Sequence, residues 1–349
     1  MYSPGVEPEV PPTGGRPRAR QGWLRAGIRG ALVVVALVVL LEATARVAIF
    51  GARGLDPRRV GILSDTTAHE LVHHDTEPDI VFEYRPHLDV WFKTVRFRTN
   101  ARGLRDAAYP LERPPGTTRI AVIGSSFTLP AGVAIEDAYH SRIERRRAGA
   151  RVELLNFAVG MHGASQFVAM IRHRALAYDP QAILVSVTAP AVPTMFQAWD
   201  RPPPANMLDL LPRRAPRSWA LRLLRARLDR SERPFAGRPR APADPAPPED
   251  DAIARLGALQ RETGIPIMVV RLEFDPRPPT PVEEALERRV RSQGMLYLDT
   301  RSAFEGLDPR GFWIDALDPH PNARAHAIFA DVIADRLLRE GWLPPAASG

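Results

Sequence analysis

The sequence predicts an α/β fold, a parallel sheet covered by helices on both faces, and three observations carry that expectation. Short apolar runs rich in β-branched residues recur along the chain, helical spacing follows them, and the runs are apolar enough to be buried on both sides. The first run, Arg119-Ile120-Ala121-Val122-Ile123, ends in Gly124-Ser125-Ser126. Val152–Phe157 is the second, with Gln166, Phe167, Met170, Ile171 and Leu176 at helical spacing behind it. Ala182–Val187 is the third, and Pro266–Leu272 the fourth, followed by a helix over Pro281–Gln293. Leu296–Leu298 makes a short fifth strand, and a last helix runs from about Ala323 to Glu340. Upstream, between 51 and 116, Ile80–Phe82 and Val90–Phe97 read as short strands in a mixed lead-in segment.

The rhythm breaks between residues 200 and 250, which hold eleven of the 36 prolines. A mobile insertion is the first reading of this stretch. Within it, Trp219–Arg230 is a basic amphipathic piece with Leu221, Leu224 and Leu228 on one face. That pattern suits a cap over a site or a membrane-surface helix.

The first residues are rich in Pro, Gly and Arg, which predicts a disordered basic tail over about 1–25. An apolar stretch follows from Ala26 to Phe50, long enough to span a bilayer. Glu42 and Arg46 interrupt it four residues apart and can pair on one helical face. Five arginines between Arg16 and Arg29 place the N-terminus in the cytoplasm and the rest of the chain beyond the membrane. A cleaved signal peptide ending near Ala43-Thr44-Ala45 is the second reading, and a buried soluble helix the third. With 349 residues, the remainder has length for one large domain over 117–345.

The net charge of +7 is largely arginine in Pro-rich segments. No zinc-finger spacing, glycine-rich phosphate loop or basic-aromatic alternation accompanies it, so nucleic acid is not an expected partner. The chain has no cysteine, which excludes disulfides and thiolate metal sites. His73-His74-Asp75 does not make a metal site, because adjacent histidines cannot easily share one ion. No metal or cofactor is expected.

Strand-end loops of an open parallel sheet converge on one edge. The loops at Ser126, at Gly160-Met161-His162-Gly163, at Thr188-Ala189-Pro190 and at Asp318-Pro319-His320 would therefore meet. A hydroxyl, an imidazole and a carboxylate are the set needed for acyl transfer through a covalent intermediate. Asp315 lies close enough in sequence to compete with Asp318, and Asn322 has the place of a helix N-cap. His326 has the spacing of a packing residue, while Glu136 and Asp137 suit the start of the helix after the Ser126 loop.

These blocks resemble the SGNH/GDSL-type hydrolases, in particular a membrane-anchored group. Asn100, Gly103, Leu104, Arg105 and Asp106 match that group's lead-in, and Gly124-Ser125-Ser126-Phe127-Thr128 its nucleophile block, with Gly132-Val133 behind. Asn156 to Gln166 matches the second block, and Asp318 to His326 the last. The resemblance implies a three-layer sandwich around a flavodoxin-like parallel sheet, preceded by one transmembrane helix. It implies Ser126 as nucleophile, His320 as general base and Asp318 as orienting acid. Oxyanion donors would come from Ser126, Met161 and the end of the third strand. Three positions depart from the pattern. Ser125 replaces Asp, Met161 replaces Gly with a side chain expected to crowd the site, and Thr188 stands where an Asn is usual. His162 and Gly163 are candidate substrate contacts, although a surface role suits His162 as well.

The implied activity is hydrolysis of O-acyl esters, in particular O-acetyl esters, on a carbohydrate or other small ester. Transfer of the acyl group to a sugar hydroxyl is the alternative. A degenerate copy used for carbohydrate binding or scaffolding among envelope-assembly partners is the reading from a different class.

Overall fold

A computed structural model describes residues 17–60, 66–147, 149–188, 218–228 and 252–344. The chain opens with a long helix, α1 (Pro17–Phe50), and then a lead-in of short pieces. These are a one-turn helix, α2 (Ala68–Leu71), and two antiparallel ribbons, β1 (Val72–His74) with β2 (Phe82–Tyr84) and β3 (Asp89–Phe92) with β4 (Val95–Arg98). From there β5 (Thr118–Ile123), α3 (Tyr139–Arg146), β6 (Val152–Asn156), α4 (Ala164–His173) and β7 (Ala182–Thr188) alternate. Helices α5 (Trp219–Leu228) and α6 (Ala252–Thr263) precede β8 (Ile267–Leu272), which is followed by α7 (Pro281–Ser292) and β9 (Leu296–Asp299). A last ribbon, β10 (Trp313–Asp315) with β11 (Asp318–Pro321), leads into α8 (Ala323–Arg339).

The central sheet has the order β6-β5-β7-β8-β9, and every neighbouring pair is parallel. This is the flavodoxin-like order, in which the winding reverses between the first and third strands. The crevice at that reversal lies between the carboxyl ends of β5 and β7. Side-chain alternation along the strands divides the core in two. Ile120, Val122, Leu154, Leu184, Met268 and Val270 pack with Tyr139 and Ile143 of α3 and Phe329 and Ile333 of α8. Ala121, Ile123, Leu155, Ile183, Val185 and Val269 pack with α4, α6 and α7 on the other side. The three layers follow directly from the apolar runs.

Local departures from the expected elements have backbone causes. Val90–Phe97 is two strands, turned at Lys93 and Thr94, which both adopt positive φ (47° and 67°). A two-residue turn of this hand usually carries Asn or Gly, so Lys-Thr gave no signal. Val81 also has positive φ (70°), which ends extension there and moves the expected Ile80–Phe82 strand to Phe82–Tyr84. The first helix begins at Pro17, inside the stretch expected to be a disordered tail. Of the insertion over 200–250, the described part is helix Trp219–Leu228 with Ser218 ahead of it, and the rest lies outside the described residues.

Two half-buried carboxyl groups tie the lead-in to the sheet. Glu144 accepts from the Leu154 amide (2.6 Å) and from the Tyr109 hydroxyl (3.0 Å). Burial pushes Glu144 up to about 7, and burial with the nearby Glu144 charge pushes Asp106 up to about 8. A group raised on folding stabilises fully below its unfolded value, 4.5 for Glu144, and that contribution is lost as pH rises through about 7. Thermal melts across this window should show wild-type stability declining with pH, and Glu144→Gln should show a flatter profile. An identical slope for both proteins would contradict the assignment.

Candidate active site

The turn after β5 is shaped by contacts that tolerate no side chain at its start. A Cβ on Gly124 would lie 2.5 Å from Thr128 Oγ1 and 3.3 Å from Ser186 Cβ. Below it, Tyr139 Oη and Ser186 Oγ share a buried hydrogen bond of 2.8 Å, and the Tyr139 hydroxyl also reaches Thr128 Oγ1 at 3.3 Å. The Leu129 amide donates to Ser125 O (2.9 Å) and the Ala131 amide to Ser126 O (3.1 Å), which curls the chain tightly. Ser126 is thereby held, half-buried, at the carboxyl end of β5 beside the sheet's reversal point.

The lead-in motif holds this turn from outside. Asn100 Oδ1 accepts from the amides of Arg102 (2.9 Å) and Leu104 (3.1 Å), and its Nδ2 donates to Ala107 O (2.9 Å). Gly103 has φ +76° and presses against Tyr84 O, where a Cβ would come within 2.3 Å. The loop so formed delivers Arg105 into the interior, 2 % exposed. Its guanidinium donates to the carbonyls of Leu129 (2.8 Å), Pro130 (2.7 Å) and Val133 (2.7 Å), with the Phe97 ring 4.7 Å away. Asp106 accepts from the Asn156 amide at the end of β6 (2.8 Å). Two adjacent lead-in residues therefore fix the loops leaving two adjacent strands.

The third part is the β10–β11 ribbon. His320 Nδ1 and Asp318 Oδ1 are hydrogen-bonded, and the His320 amide donates to the same oxygen (3.1 Å). Asp318 Oδ2 accepts from Lys93 Nζ at 2.6 Å, and that ammonium is 3.4 Å from His320 Nδ1. Burial works to raise Asp318, but His320 and Lys93 outweigh it and hold the carboxyl well below its usual range. Asp315, the competing acid, accepts instead from the Leu317 amide (2.8 Å), and burial pushes it up to about 6. The His320 ring lies 5.6 Å from that of Phe127, the residue after Ser126, and Phe127 stacks on Phe274 at 6.0 Å. Gly132 makes room for Ile314 of the ribbon, whose Cδ1 would be 2.4 Å from a Cβ there. Ribbon and Ser126 loop are interlocked. Among the described residues no hydrogen bond joins Ser126 Oγ to His320; such contacts commonly tighten only when substrate binds.

The second-block loop differs from expectation in detail. Met161 takes a left-handed backbone (φ 72°) in the place of the usual Gly, and its side chain is 55 % exposed. The Gly160 amide is taken by the Tyr84 hydroxyl (3.0 Å), while the Met161 amide enters no hydrogen bond among the described residues. His162 is not at the surface: it is fully buried, with Nε2 2.9 Å from Phe82 O, and burial pushes it down to about 4. Gly163 spends its amide on Gln166 Oε1 (2.9 Å) at the start of α4. Neither is placed to meet substrate through those groups. Thr188 ends β7, half-buried; Ala189 and Pro190 lie outside the described residues. His326 is fully buried and stacks on Tyr139 at 6.1 Å, as its spacing suggested. Glu136 and Asp137 form a 3-10 turn ahead of α3, and Asp137 pairs with Arg142 (2.7 Å).

Lys93 is the residue that sequence reasoning missed. Its spacing from Asp318 carries no pattern, and only the left-handed turn at Lys93-Thr94 brings it there. Because Asp318 is held low, its stabilisation is present above the unfolded value near 4 and lost as pH falls below it. Lys93→Met should therefore cost about 1–2 kcal/mol at neutral pH and move acid unfolding to higher pH. Circular dichroism during acid titration reads both effects, with Lys93→Arg as the charge-preserving control. No change in Lys93→Met would mean the ion pair is not maintained in solution.

Comparison with known proteins gives structural neighbours only. No family model and no curated protein matches the chain. A catalytic mutant of an acetylxylan esterase from Geobacillus stearothermophilus aligns at 15% identity, covering 66% of this chain and 98% of that one, with a TM-score of 0.39. A protein described as lipolytic and of the G-D-S-L family from Desulfitobacterium hafniense aligns at 12% identity over 63% of this chain and 99% of its own, TM-score 0.36. A two-domain esterase active on acetylated mannans aligns at 12% identity over 64% of this chain and 49% of its own, TM-score 0.39. Two of these structural neighbours are thus described as esterases and the third as a lipolytic protein of the G-D-S-L family.

Proposed function

We propose that the chain is a membrane-anchored serine esterase that cleaves O-acyl esters, in particular O-acetyl esters, through an acyl-enzyme on Ser126. The observation that carries this reading is the Asp318–His320 hydrogen bond on a ribbon packed against Phe127, next to Ser126. In the reaction Ser126 Oγ attacks the ester carbonyl carbon while its proton passes to His320 Nε2. Asp318, bonded at Nδ1, fixes the tautomer that leaves Nε2 as the accepting nitrogen and stabilises the imidazolium that forms. The tetrahedral intermediate collapses as its bond to the alcohol oxygen breaks, and the alcohol leaves with the proton from His320. Water then repeats the sequence, giving the carboxylic acid and free Ser126.

Charge on the former carbonyl oxygen is met by the amides of Ser126 and Met161 and by the Thr188 hydroxyl. Each such donor is worth roughly 3–4 kcal/mol in the transition state. Among the described residues the Met161 amide enters no hydrogen bond, which supports that role. The anchor in this reading is α1 with the turn after it: Arg25–Leu55 is long and apolar enough to cross a membrane, and the arginines at its start support a cytoplasmic N-terminus. If a sugar hydroxyl replaces water in the second half, the same groups perform acyl transfer. Thr188 in the place of an Asn favours one further reading, a fold kept for carbohydrate binding without turnover.

The test is hydrolysis of p-nitrophenyl acetate and acetylated oligosaccharides by the detergent-solubilised full chain. Ser126→Ala and His320→Ala should each lower kcat/KM at least about a thousand-fold with folding intact by circular dichroism. Equal rates for wild type and both variants would exclude this chemistry. Acyl transfer to added sugar in preference to water would identify the transferase.

A further inference from the structure

The amphipathic helix α5 is joined to the last turns of α1 by contacts of high specificity. Glu42 accepts from the Trp219 amide (3.1 Å), the Ala220 amide (3.1 Å) and the Ser218 hydroxyl (3.0 Å), so a side chain of α1 caps the N-terminus of α5. Glu42 also holds Arg46 (3.0 Å), whose Nη1 donates to Val60 O (2.8 Å). The Trp219 ring stands edge-on to Phe50 at 4.6 Å. Ile49, Phe50, Val60 and Trp219 form a small buried cluster against which Leu223 and Leu317 pack. Leu317 immediately precedes Asp318. One cluster therefore connects the end of α1, helix α5 and the ribbon bearing Asp318 and His320.

Helical spacing puts Trp219 and Leu223 on the face toward α1 and leaves a second apolar face opposite. On it, Leu221, Leu224 and Leu228 are 68 %, 53 % and 71 % exposed. Arg227 is exposed beside this stripe, and Arg222 lies over the Trp219 ring at 4.4 Å. Three leucines in water are unfavourable, by about 25 cal/mol per Å² of apolar surface. The N-terminus of α5 is held at Glu42, the residue that follows the exposed apolar surface of α1 from Leu32 to Leu41.

We propose that α5 is an interfacial helix that seats Leu221, Leu224 and Leu228 in the bilayer at the face where α1 emerges, with its arginines at anionic lipid phosphates. This rests on α1 being a membrane span. Two observations commit the surface to lipid: α5 is fastened at Glu42, where the exposed apolar surface of α1 ends, and the charge beside its leucine stripe is basic, the arrangement of helices that lie in a membrane interface. Through Trp219 and Leu317 the seated helix holds the Asp318–His320 ribbon close to the bilayer surface. The ester substrate would then be met there.

The chain has no cysteine, so single labels can be placed on the full-length protein. Leu224→Cys, Leu228→Cys, Val38→Cys in α1 and Leu307→Cys on the globular part would each carry an environment-sensitive fluorophore. Each protein would be reconstituted in vesicles of phosphatidylcholine and phosphatidylglycerol containing doxyl-labelled lipid. Labels at 224 and 228 should shift to the blue and lose most of their emission to doxyl lipid, as at 38, while the label at 307 is unaffected. Quenching at 38 with none at 224 and 228 would overturn the proposal and leave the anchor intact. Quenching at 224 and 228 with none at 38 would remove the span on which the proposal rests and overturn it. Absence at all three sites would overturn both. Self-quenching between chains at 224 without lipid quenching would assign the stripe to a second copy and overturn the proposal.

Discussion

A guanidinium buried with no carboxylate partner among the described residues constrains this site more than any other single group. Burial pulls Arg105 down to about 10, still protonated at neutral pH, and its charge must be answered by dipoles. The carbonyls of Leu129, Pro130 and Val133 supply them, with the face of Phe97 alongside. Leaving such an ion unsatisfied would cost several kcal/mol, so the segment after Ser126 has little freedom to rearrange. The tight curl over Ser125 to Ala131 and the pocket that Gly132 offers Ile314 both rest on that fixed segment.

The order of dependence runs outward from there. Ile314 seated on Gly132 sets the β10–β11 ribbon, and the ribbon presents Asp318 and His320 beside Phe127. The lead-in then contributes a second time, because the same ribbon that packs Phe97 against Arg105 turns at Lys93 to reach Asp318. Two charged residues of the lead-in, Arg105 and Lys93, act on opposite ends of the site. One fixes the loop behind Ser126, and the other bonds to the acid of the Asp–His pair. The strained Lys93-Thr94 turn is the kind of local cost that persists where the surroundings over-determine it.

Much of this was legible in the sequence, for physical reasons that also explain the gaps. Ile120/Val122 against Ala121/Ile123 is a buried strand whichever helices cover it, and the five strands followed from such runs. The lead-in motif was recognisable as residues, but not its purpose. That Arg105 finds three carbonyls more than twenty residues away is a tertiary fact without sequence periodicity. His162 was misread for a related reason. A histidine in a glycine-flanked loop looks exposed until the Phe82 carbonyl of a distant ribbon is known to cover it. The resemblance favoured Asp318 over Asp315, and the ribbon gives the physical difference between them: Asp318 lies against Nδ1, while Asp315 turns to the Leu317 amide.

The central claim is that His320 and its bonded acid activate Ser126. Treating the folded full chain with a fluorophosphonate and mapping the adduct by peptide mass spectrometry tests it most directly. One modified serine, Ser126, and no modification in His320→Ala are the expected results. Modification of a different serine, or none in a folded protein whose site admits a small probe, would contradict it.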